Sequence, residues 1–403
     1  MKVCVIGAGV VGCATAYALC NDGHEVVLID GNSSPGEGAS FANGGQLSYS
    51  YVEPLASPAT LRGLPAMLFK SNSPLRWRPT AHWDQWAWGF RFLAACNARQ
   101  LEQGTHQLLR ISTLSRATLD DWMVRDSLEF NFTRNGKLVL CPDESTLMRQ
   151  RQQIALQAYT GVVQSLLDRD QCLAIEPALA GYTGFVGGVW TQDECAGDPY
   201  LYCQTLVAVA QQRGLLCLFD TQVKGFLFLK GRATSIETEN GHLHADAFVV
   251  ATGVQAPVLA RQLGENLPIY PIKGYSVTLP LKPYQKLPRV NVTDLSQKMV
   301  LAVLDGKLRV AVRAEIVGYK TGIQPATIEK ICHAVEKIYP GLYDMAQPCA
   351  WSGLRPATPT SLPIIRKSRV GNVVLNVGHG ALGFTLSAGS AALVSQQLAD
   401  RHV

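Results

Sequence analysis

The start of the chain consists of two apolar runs separated by a glycine-rich turn and a helical stretch. Val3 to Ile6 is apolar at every position, which is typical of a parallel strand buried on both faces. A helix is predicted from about Val10 to Asn21, with Gly23 as its stop. A second apolar run then ends at Asp30. The pattern predicts a strand–helix–strand unit at the N-terminus.

Three glycines occupy the turn of this unit, with the spacing Gly7-x-Gly9-x-x-Gly12. In dinucleotide-binding units the first glycine makes the tight turn, the second lets a pyrophosphate approach the backbone, and the third lets the helix pack on the strand. The helix N-terminus offers free N–H groups to the phosphates, and a carboxylate at the position of Asp30 binds a ribose hydroxyl. The alternative is a glycine-rich turn in an ordinary α/β domain. The residues predicted to bind the nucleotide are Gly7, Ala8, Gly9, Val10, Val11, Gly12 and Asp30.

Beyond this unit the apolar spacing changes between helical and strand periods. The polar, glycine-rich stretch 31–50 fits neither period and is predicted to be a long functional loop. Helices are predicted in 83–125, 144–170, 199–213 and 327–338, with a last helix ending near residue 399. Strands are predicted in 137–141, 216–219, 225–229, 233–238, 247–250, 271–279, 307–312 and 373–377. The alternation in 271–279 and 307–312 is typical of antiparallel strands.

Composition narrows the class of protein. A chain of 403 residues, 47% of them hydrophobic, is large enough for two domains. The net charge of +5 is modest and no Lys/Arg-rich run occurs, which argues against nucleic acid as a partner. No apolar run reaches the roughly 18 residues of a spanning helix, and no signal peptide is expected ahead of the first strand. The 11 cysteines lack metal-ligand spacing, so we expect a reducing cytoplasm and no metal site.

A second glycine motif, Gly378-His379-Gly380-Ala381-Leu382-Gly383, follows the predicted strand 373–377. Too little chain follows it for a second nucleotide-binding unit. It is better interpreted as a helix N-terminus that faces an electron-rich group in the first domain. Ala251-Thr252-Gly253 also follows a predicted strand and suits a site at the carboxyl edge of a sheet.

Together these motifs resemble the D-amino-acid oxidase and glycine oxidase-like flavoproteins, and most closely their FAD-dependent D-amino-acid dehydrogenase branch of the small-subunit type. The resemblance spans the whole chain in family order. It is carried by the motifs at 40–46 (SFANGGQ), 270–276 (YPIKGYS), 314–318 (AEIVG), 351–356 (WSGLRP) and 375–385 (LNVGHGALGFT).

The resemblance implies an α/β fold, with a Rossmann-like FAD-binding domain and a second domain built on a mixed, largely antiparallel sheet plus helices. The FAD-binding domain is expected in 1–50, 192–270 and 345–403, and the substrate or lid domain in 51–191 and 271–344. The implied reaction is oxidative deamination of an amino acid, D-amino acids foremost, by hydride transfer from the α-carbon to flavin N5. The implied electron acceptor is a quinone or the respiratory chain, reached from the inner face of the cell membrane.

The resemblance also implies roles for particular residues. The further cofactor-binding residues are Ser40, Asn43, Gly44, Gly45, Gln46, Val223, Ala251, Thr252, Gly253, Gly353, Gly378, Gly380, Ala381, Leu382, Gly383 and Thr385. The candidate catalytic residues are Arg355, Tyr275, Arg313 and His379. His379 either assists at the flavin or contacts it through its backbone alone.

The substrate motifs depart from the family more than the cofactor motifs do. Val303 stands where many relatives carry an arginine that meets the substrate carboxylate, Ala311-Val312 replaces a glycine pair, and Thr360-Ser361 replaces Asp-Gly. Either the substrate differs from a simple D-amino acid or the carboxylate-binding group has moved.

Several side chains are candidates for holding the carboxylate. An arginine does this best, because its planar fork binds two oxygens at once. Arg355 is expected in a turn beside the flavin, and its alternative role is to cap nearby carbonyls. Arg313 and Arg309 alternate along one strand and fit a solvated sheet face better. Tyr275 either donates to the carboxylate or is an ordinary half-buried sheet tyrosine.

The 60–92 segment has two interpretations. Trp83, Trp86 and Phe90 have helical spacing and fit a core more often than a surface. The segment also carries apolar and basic side chains typical of contact with an anionic membrane, namely Leu61, Leu64, Met67, Leu68, Phe69, Arg62, Lys70, Arg76 and Arg78.

Three functions stay open at this point. The first is an amino-acid dehydrogenase with a quinone or other electron-transfer acceptor. The second is an oxidase that uses O₂ and a glycine, sarcosine or proline-type substrate. The third is a flavin-binding subunit with a degenerate substrate pocket in a larger, multi-subunit dehydrogenase.

Overall fold

The computed structural model describes residues 1–50, 52, 54–64, 75–157, 163–283 and 287–399, without the side chains of residues 75, 156, 157 and 313. The strands are β1 (Lys2–Ile6), β2 (Glu25–Ile29), β3 (Gln46–Leu47), β4 (Leu75–Trp77), β5 (Lys137–Cys141), β6 (Gln164–Asp168), β7 (Gly187–Thr191), β8 (Cys195–Ala196), β9 (Leu216–Leu218), β10 (Val223–Leu229), β11 (Arg232–Thr238), β12 (Gly241–His244), β13 (Ala247–Val250), β14 (Tyr270–Pro280), β15 (Asn291–Asp294), β16 (Met299–Leu304), β17 (Lys307–Ile316), β18 (Cys349–Ala357), β19 (Ile364–Lys367) and β20 (Val373–Val377). The helices are α1 (Val10–Asn21), α2 (Pro58–Arg62), α3 (Trp83–Ala95), α4 (Ala98–Asp126), α5 (Glu144–Gln157), α6 (Arg169–Ile175), α7 (Pro199–Gln212), α8 (Ala256–Gln262), α9 (Pro325–Ile338) and α10 (Gly383–Ala399).

A six-stranded sheet contains both apolar runs of the N-terminal unit. Its strand order is β19-β20-β13-β1-β2-β9, and all neighbours are parallel except β19 and β20. Side chains such as Val5 pack with α1, α7 and α10 on one face, whereas Ile6 packs with α8 and β10 on the other. Covering on both faces explains why these strands are apolar at nearly every position. The predicted Rossmann-like unit is confirmed.

A larger sheet has the order β18-β14-β17-β16-β15-β5-β7-β6, and β4 pairs separately with β17. Most of its pairs are antiparallel, but β5 and β15 are parallel, as are β4 and β17. The predicted mixed, largely antiparallel sheet is therefore confirmed.

The two faces of the larger sheet have different partners. The outer face, which carries Tyr275, Val277, Leu301, Val303 and Val310, packs in the core that α9 completes. The inner face carries Ser276, Val300, Ala302, Leu304, Arg309 and Ala311. The 31–50 loop lies against this inner face, because a Cβ on Gly44 would lie 2.8 Å from the Cβ of Ala311. The sheet therefore separates a helical core from the loop of the nucleotide-binding unit.

Most predicted elements are confirmed, and one is wrong. The helix predicted over 144–170 ends at Gln157, residues 158–162 lie outside the described part, and 164–168 is strand β6. This strand pairs with β7, and its last residue, Asp168, forms a capping box with Gln171 at the start of α6. The helical stretch 83–125 is divided at Asn97, whose side chain caps α4. Strands β4, β7, β8, β12, β15, β16, β18 and β19 were not predicted. The short strand β3 lies within the 31–50 stretch, which was predicted to be a loop.

The expected division into two domains stays a prediction, and the structure qualifies one of its boundaries. Strand β18 (349–357) pairs with β14 in the larger sheet, although the segment 345–403 was expected in the FAD-binding domain. Residues 364–399 do lie with the six-stranded sheet. In the part of the chain that the structure describes, no helix combines the length and apolar character needed to cross a membrane.

Candidate functional site

A cavity of about 710 Å³ lies at the carboxyl ends of β1, β2, β13 and β20. Its walls include Gly7 to Val11, Asp30 to Asn32, Ala251 to Val254 and Asn376 to Gly380. Gly353 of the larger sheet forms part of the opposite wall. The carboxyl edge of a parallel sheet is where ligands bind in folds of this type. The fold thus brings together motifs from both ends and the middle of the chain.

The glycines of the first turn have different tasks. Gly7 has a φ of +104°, and a Cβ there would lie 2.6 Å from the carbonyl oxygen of Ala251. A Cβ on Gly12 would lie 1.7 Å from the carbonyl oxygen of Gly7, so this helix residue must lack a side chain. A Cβ on Gly9 would meet only Ser40 Oγ, at 3.5 Å. Gly7 and Gly12 are therefore needed for the close packing of the turn against neighbouring backbone, whereas the open side of Gly9 leaves room for a ligand.

Asp30 and Val223 both line the cavity. One carboxylate oxygen of Asp30 accepts from the amide of Ala8 at 2.6 Å, and the other accepts from the backbone and side-chain N–H groups of Asn32 at 2.8 Å each. These contacts fix the carboxylate at the cavity edge. Val223 lines the same region together with Thr221.

Polar atoms in the cavity wall lack partners within the described chain. Thr252 Oγ1, Asn376 Oδ1 and His379 Nε2 are buried without a hydrogen bond. An unsatisfied buried polar atom costs about 1–3 kcal/mol, so such atoms are usually satisfied. Their clustering in one cavity fits a large polar ligand that supplies the missing partners.

His379 is placed at the cavity as a neutral group. Burial lowers the pKa of its imidazole to about 3, so it carries no proton charge near neutral pH. The ring can still donate or accept a hydrogen bond through its nitrogens. His379 was a candidate catalytic residue, but a neutral imidazole with so low a pKa is not suited to acid–base catalysis near pH 7.

The N-terminus of α10 points at the same space. A 3₁₀ turn, Gly380–Leu382, leads into the helix, and Gly383 and Phe384 line the cavity. The free N–H groups and positive dipole end of a helix attract negative charge. This geometry agrees with the interpretation of the second glycine motif as a helix start.

Some residues predicted to bind the cofactor lie outside the cavity wall. They are Gly12, Gly44, Gly45, Gln46, Ala381, Leu382 and Thr385. Gln46 Nε2 instead donates to the carbonyls of Val292 and Leu301, at 3.1 and 3.0 Å. Thr385 Oγ1 accepts from the amide of Ser48 at 3.2 Å. Gln46 thus joins the 31–50 loop to the larger sheet, and Thr385 joins the same loop to α10. Ser40 and Asn43 do line the cavity.

Arg355 lies in strand β18 and not in the expected turn. It is cross-strand partner to Ile272 and shares the inner face with Gly274 and Gly353. Its guanidinium lies over Gly274, where a Cβ would approach Nη2 to 2.5 Å. Burial lowers the pKa of this arginine. The absence of a side chain on Gly274 makes room for the guanidinium on the inner face.

The prediction that Tyr275 meets a substrate carboxylate is wrong. Its ring lies on the outer face in the core with Val277 and Val310, away from the cavity. Its hydroxyl donates to Glu315 Oε2 at 2.8 Å. Val303 also lies on the outer face. A side chain at position 303 is therefore directed away from the inner face, whatever its identity.

The solvated-face interpretation of Arg309 is also wrong. Its side chain is only 11% exposed, and Nη1 donates to the carbonyl of Asn43 at 3.1 Å. Nη2 lies 3.6 Å from Asp198 Oδ2, and burial lowers the pKa of the guanidinium. Arg309 thus holds the 31–50 loop to the inner face. The side chain of Arg313 lies outside the described part of the structure.

Other residues of the cavity wall were missed by the sequence analysis. They include Asn32, Glu37, Thr221, Gln222, Val254, Gln255, Thr321, Trp351, Leu354 and Asn376. Trp351 shares the inner face with Gly353, and its ring covers that glycine: a Cβ there would lie 2.1 Å from Trp351 Cη2. Trp351, Leu354 and Asn376 lie inside motifs that carried the family resemblance.

Comparison with known proteins shows which family the chain belongs to. The family model described as FAD dependent oxidoreductase (DAO) matches residues 2–397. The chain belongs to this family. The oxidoreductase uses FAD, and its reaction is FAD-dependent oxidative deamination of an amino acid. Among its described residues, no group of three or more His, Cys, Asp or Glu is placed to hold a metal ion.

Two relatives match the oxidoreductase along nearly its whole length. The D-amino acid dehydrogenase 2 of Ralstonia nicotianae is 40% identical, over 100% of this chain and 97% of that protein. The protein of the same name from Pseudomonas aeruginosa is 38% identical, over 99% and 95%. Solved structures with the same fold include L-proline dehydrogenase from P. horikoshii, with a TM-score of 0.77 at 18% identity over 100% of this chain and 94% of that one. Glycine oxidase from Bacillus cereus gives 0.76 at 18%, over 100% and 96%.

Proposed function

We propose that the enzyme oxidises D-amino acids and delivers the electrons to an acceptor other than O₂. The observation that carries the proposal is the cavity in which the glycine turn, the α10 N-terminus and Trp351 and Gly353 of the inner face meet. Arg355 lies on the same face of β18, next to Leu354 and Pro356 of the cavity wall, but is not itself part of that wall. Relatives similar over their full length bear the name D-amino acid dehydrogenase, which supports the choice of substrate.

Within this proposal the cavity wall holds FAD. The Gly7–Gly12 turn and the α1 N-terminus suit the pyrophosphate, and Asp30 suits a ribose. The unpartnered Thr252 Oγ1 and His379 Nε2 are available to the polar atoms of the cofactor. The positive end of α10 suits the negatively charged end of the reduced ring.

The inner face then binds the substrate. We assign the carboxylate to Arg355, because a guanidinium holds both oxygens in one plane and so fixes the direction of the α-carbon. Trp351 lies beside it on the same face and excludes water. When bound, FAD supplies the two-electron acceptor for the α C–H bond. The imino acid leaves this face and is hydrolysed by water to a 2-oxo acid and ammonia.

Anaerobic mixing with single amino acids tests the proposal. We expect D-amino acids to bleach the yellow absorbance of the enzyme and their L-enantiomers to leave it unchanged, because once the carboxylate and the side chain both have fixed places only one enantiomer directs its α-hydrogen at the flavin. A dye or quinone analogue should reoxidise the enzyme much faster than O₂. Bleaching by glycine, sarcosine or proline with full-speed peroxide formation in air contradicts the proposal and favours the oxidase. A yellow protein that no amino acid bleaches favours the degenerate subunit.

An exposed aromatic face on α3 supports a membrane-bound acceptor. Trp83 is 73% exposed, Phe90 61% and Trp86 38%, so the core interpretation of these three side chains is wrong. Trp77 and Trp88, in contrast, are buried together. Residues 65–74, which include Met67, Leu68, Phe69 and Lys70, lie outside the described part. We propose that the α3 face and the neighbouring exposed Arg62 and Arg91 rest on an anionic lipid surface.

Vesicle sedimentation tests this contact. Replacing Trp83 and Phe90 with serine should lower the fraction bound to anionic vesicles at least about tenfold, since each aromatic side chain contributes on the order of 1–3 kcal/mol. Dye-linked activity should be unchanged, and binding of the wild type should weaken with salt. Val124→Ser is the control, since Val124 is 86% exposed on α4. Equal binding of all three proteins contradicts the proposed contact.

A further inference from the structure

A buried lysine and glutamate lie outside the cavity wall and are not used in the reaction described above. Lys137, at the start of β5, is 4% exposed, and Glu194, just before β8, is 1% exposed. Burial raises the pKa of Glu194, and it lowers the pKa of Lys137 to about 8, while each charge counteracts the shift of the other. Two charges so deeply buried are costly unless hydrogen bonds compensate them.

Their hydrogen bonds converge on one short segment of the 31–50 loop. Lys137 Nζ donates to Ser48 Oγ at 2.7 Å. The two carboxylate oxygens of Glu194 accept from the amides of Tyr49 and Ser50, at 2.8 and 2.7 Å. The amide of Gly136, next to the lysine, donates to the carbonyl of Glu194 at 3.0 Å. Two charged groups thus hold three consecutive residues.

The held segment also contacts the cavity. Asn43 lines the cavity, and the next two residues pack on the inner face. At Ser48 the backbone amide donates to Thr385 Oγ1 at 3.2 Å, and Thr385 lies in the first turn of α10. The carbonyl of Tyr49 accepts from Ser112 of α4 at 2.6 Å. The 43–50 segment therefore connects Lys137 and Glu194 with the helix end that faces the cavity.

We propose that Lys137 and Glu194 are positioning residues that fix the 43–50 segment, and through Ser48 and Thr385 the first turn of α10, at the FAD site. The proposal rests on the assignment of the α10 N-terminus to FAD given above. Neither residue is a catalytic residue, because the side chain of each is directed at the 43–50 segment, where it is hydrogen-bonded. Their charges act by keeping the N–H groups of the helix end in one place. A displaced helix end stabilises the reduced flavin less well.

The test compares Lys137→Met and Glu194→Gln with the wild-type holoenzyme. We expect the FAD dissociation constant to rise roughly tenfold to 100-fold, as for the loss of a charge-assisted hydrogen bond. The midpoint potential of the bound flavin should fall, and its visible absorbance bands should shift. Lys137→Arg should restore most of the affinity because it keeps the positive charge. Ser48→Ala removes only the hydroxyl that Lys137 contacts and gives a milder version if either main variant fails to fold.

Glu265→Gln is the matched control. Glu265 is also buried, at 7% exposed, and accepts two hydrogen bonds from Arg366, at 2.9 and 2.7 Å, but its hydrogen bonds go to Arg366 and Arg369 and not to the 43–50 segment. It should lower the melting temperature and leave the flavin potential unchanged. Variants of Lys137, Glu194 and Ser48 that all keep the wild-type potential and FAD affinity overturn the inference. A wild type that binds no FAD overturns the proposed function instead, so the two failures are distinguishable.

Discussion

Replacing Gly12 with alanine is expected to abolish FAD binding and to destabilise the protein by roughly 3 kcal/mol or more. The added Cβ would lie 1.7 Å from the carbonyl oxygen of Gly7, a backbone atom that cannot move without opening the turn. Overpacking in a rigid site costs about 1–3 kcal/mol even when side chains can adjust, and here they cannot. Thermal unfolding of the apoprotein and titration with FAD measure the two effects separately.

Gly9→Ala is the control for this experiment. Its Cβ would meet only Ser40 Oγ, at 3.5 Å, which is an ordinary contact. The apoprotein should therefore melt within a few degrees of the wild type while its FAD affinity falls, because the methyl group occupies the approach of the pyrophosphate. If Gly12→Ala binds FAD and melts like the wild type, the turn is not the FAD site.

Replacing Arg355 with lysine is expected to lower kcat/KM for a D-amino acid about 100-fold. A lysine presents a point charge and loses the second of two parallel hydrogen bonds, and bonds to charged groups contribute about 1.5–3 kcal/mol each. The melting temperature should change little. The guanidinium occupies the space that Gly274 leaves open, and the smaller lysine head group can enter the same space. Steady-state kinetics with an artificial dye measure kcat/KM.

Arg366→Lys is the comparison for Arg355→Lys. Arg366 also makes a two-bond contact with a carboxylate, Glu265, but it lies on β19 of the six-stranded sheet and not on the inner face of the larger sheet. It should change stability slightly and kcat/KM not at all. If Arg355→Lys has the kcat/KM of the wild type, Arg355 does not bind the substrate carboxylate and another residue does. Arg309 is a poor substitute, because it is already bound to the carbonyl of Asn43.

The glycine-turn side of the cavity could be predicted because its information is local. Gly7, Gly9 and Gly12 lie in one turn, and their spacing alone specifies the backbone that a pyrophosphate needs. Asp30 follows at the end of the next strand of the same unit. Each of these residues lines or shapes the cavity as the spacing predicts.

The substrate side could not be predicted in the same way, because it depends on which face of the larger sheet each side chain occupies. A shift of one residue in a strand exchanges its two faces, and the β14–β17 pairing contains an irregularity between Lys273 and Tyr275. Tyr275 was therefore given a role that its outer-face position does not allow, and position 303, where relatives carry a carboxylate-binding arginine, lies on the same outer face. Arg309 was predicted to face solvent because the loop that covers it lies far away in sequence.

Long-range pairing also explains the error at 164–168. The sequence Gln-Ser-Leu-Leu-Asp has no strict alternation, and short runs of this kind fit a helix or a strand equally well. Antiparallel pairing with 187–191 decides between them. The burial that keeps His379 neutral is likewise a property of the assembled fold, since its nearest sequence neighbours are glycines.

The order of strands in the six-stranded sheet has a consequence for biogenesis. The central strand β1 is synthesised long before its neighbours, because β13 pairs Val249 with Val5, and β20 in turn pairs Val374 with Val249. The helix that covers β1, α10, is formed by the last described residues of the chain. Sheets with such distant contacts form slowly. The ribosome must therefore release the chain from β1 through α10 before the cofactor has a complete site, and a cell short of FAD is expected to accumulate apoprotein in which this segment is already synthesised.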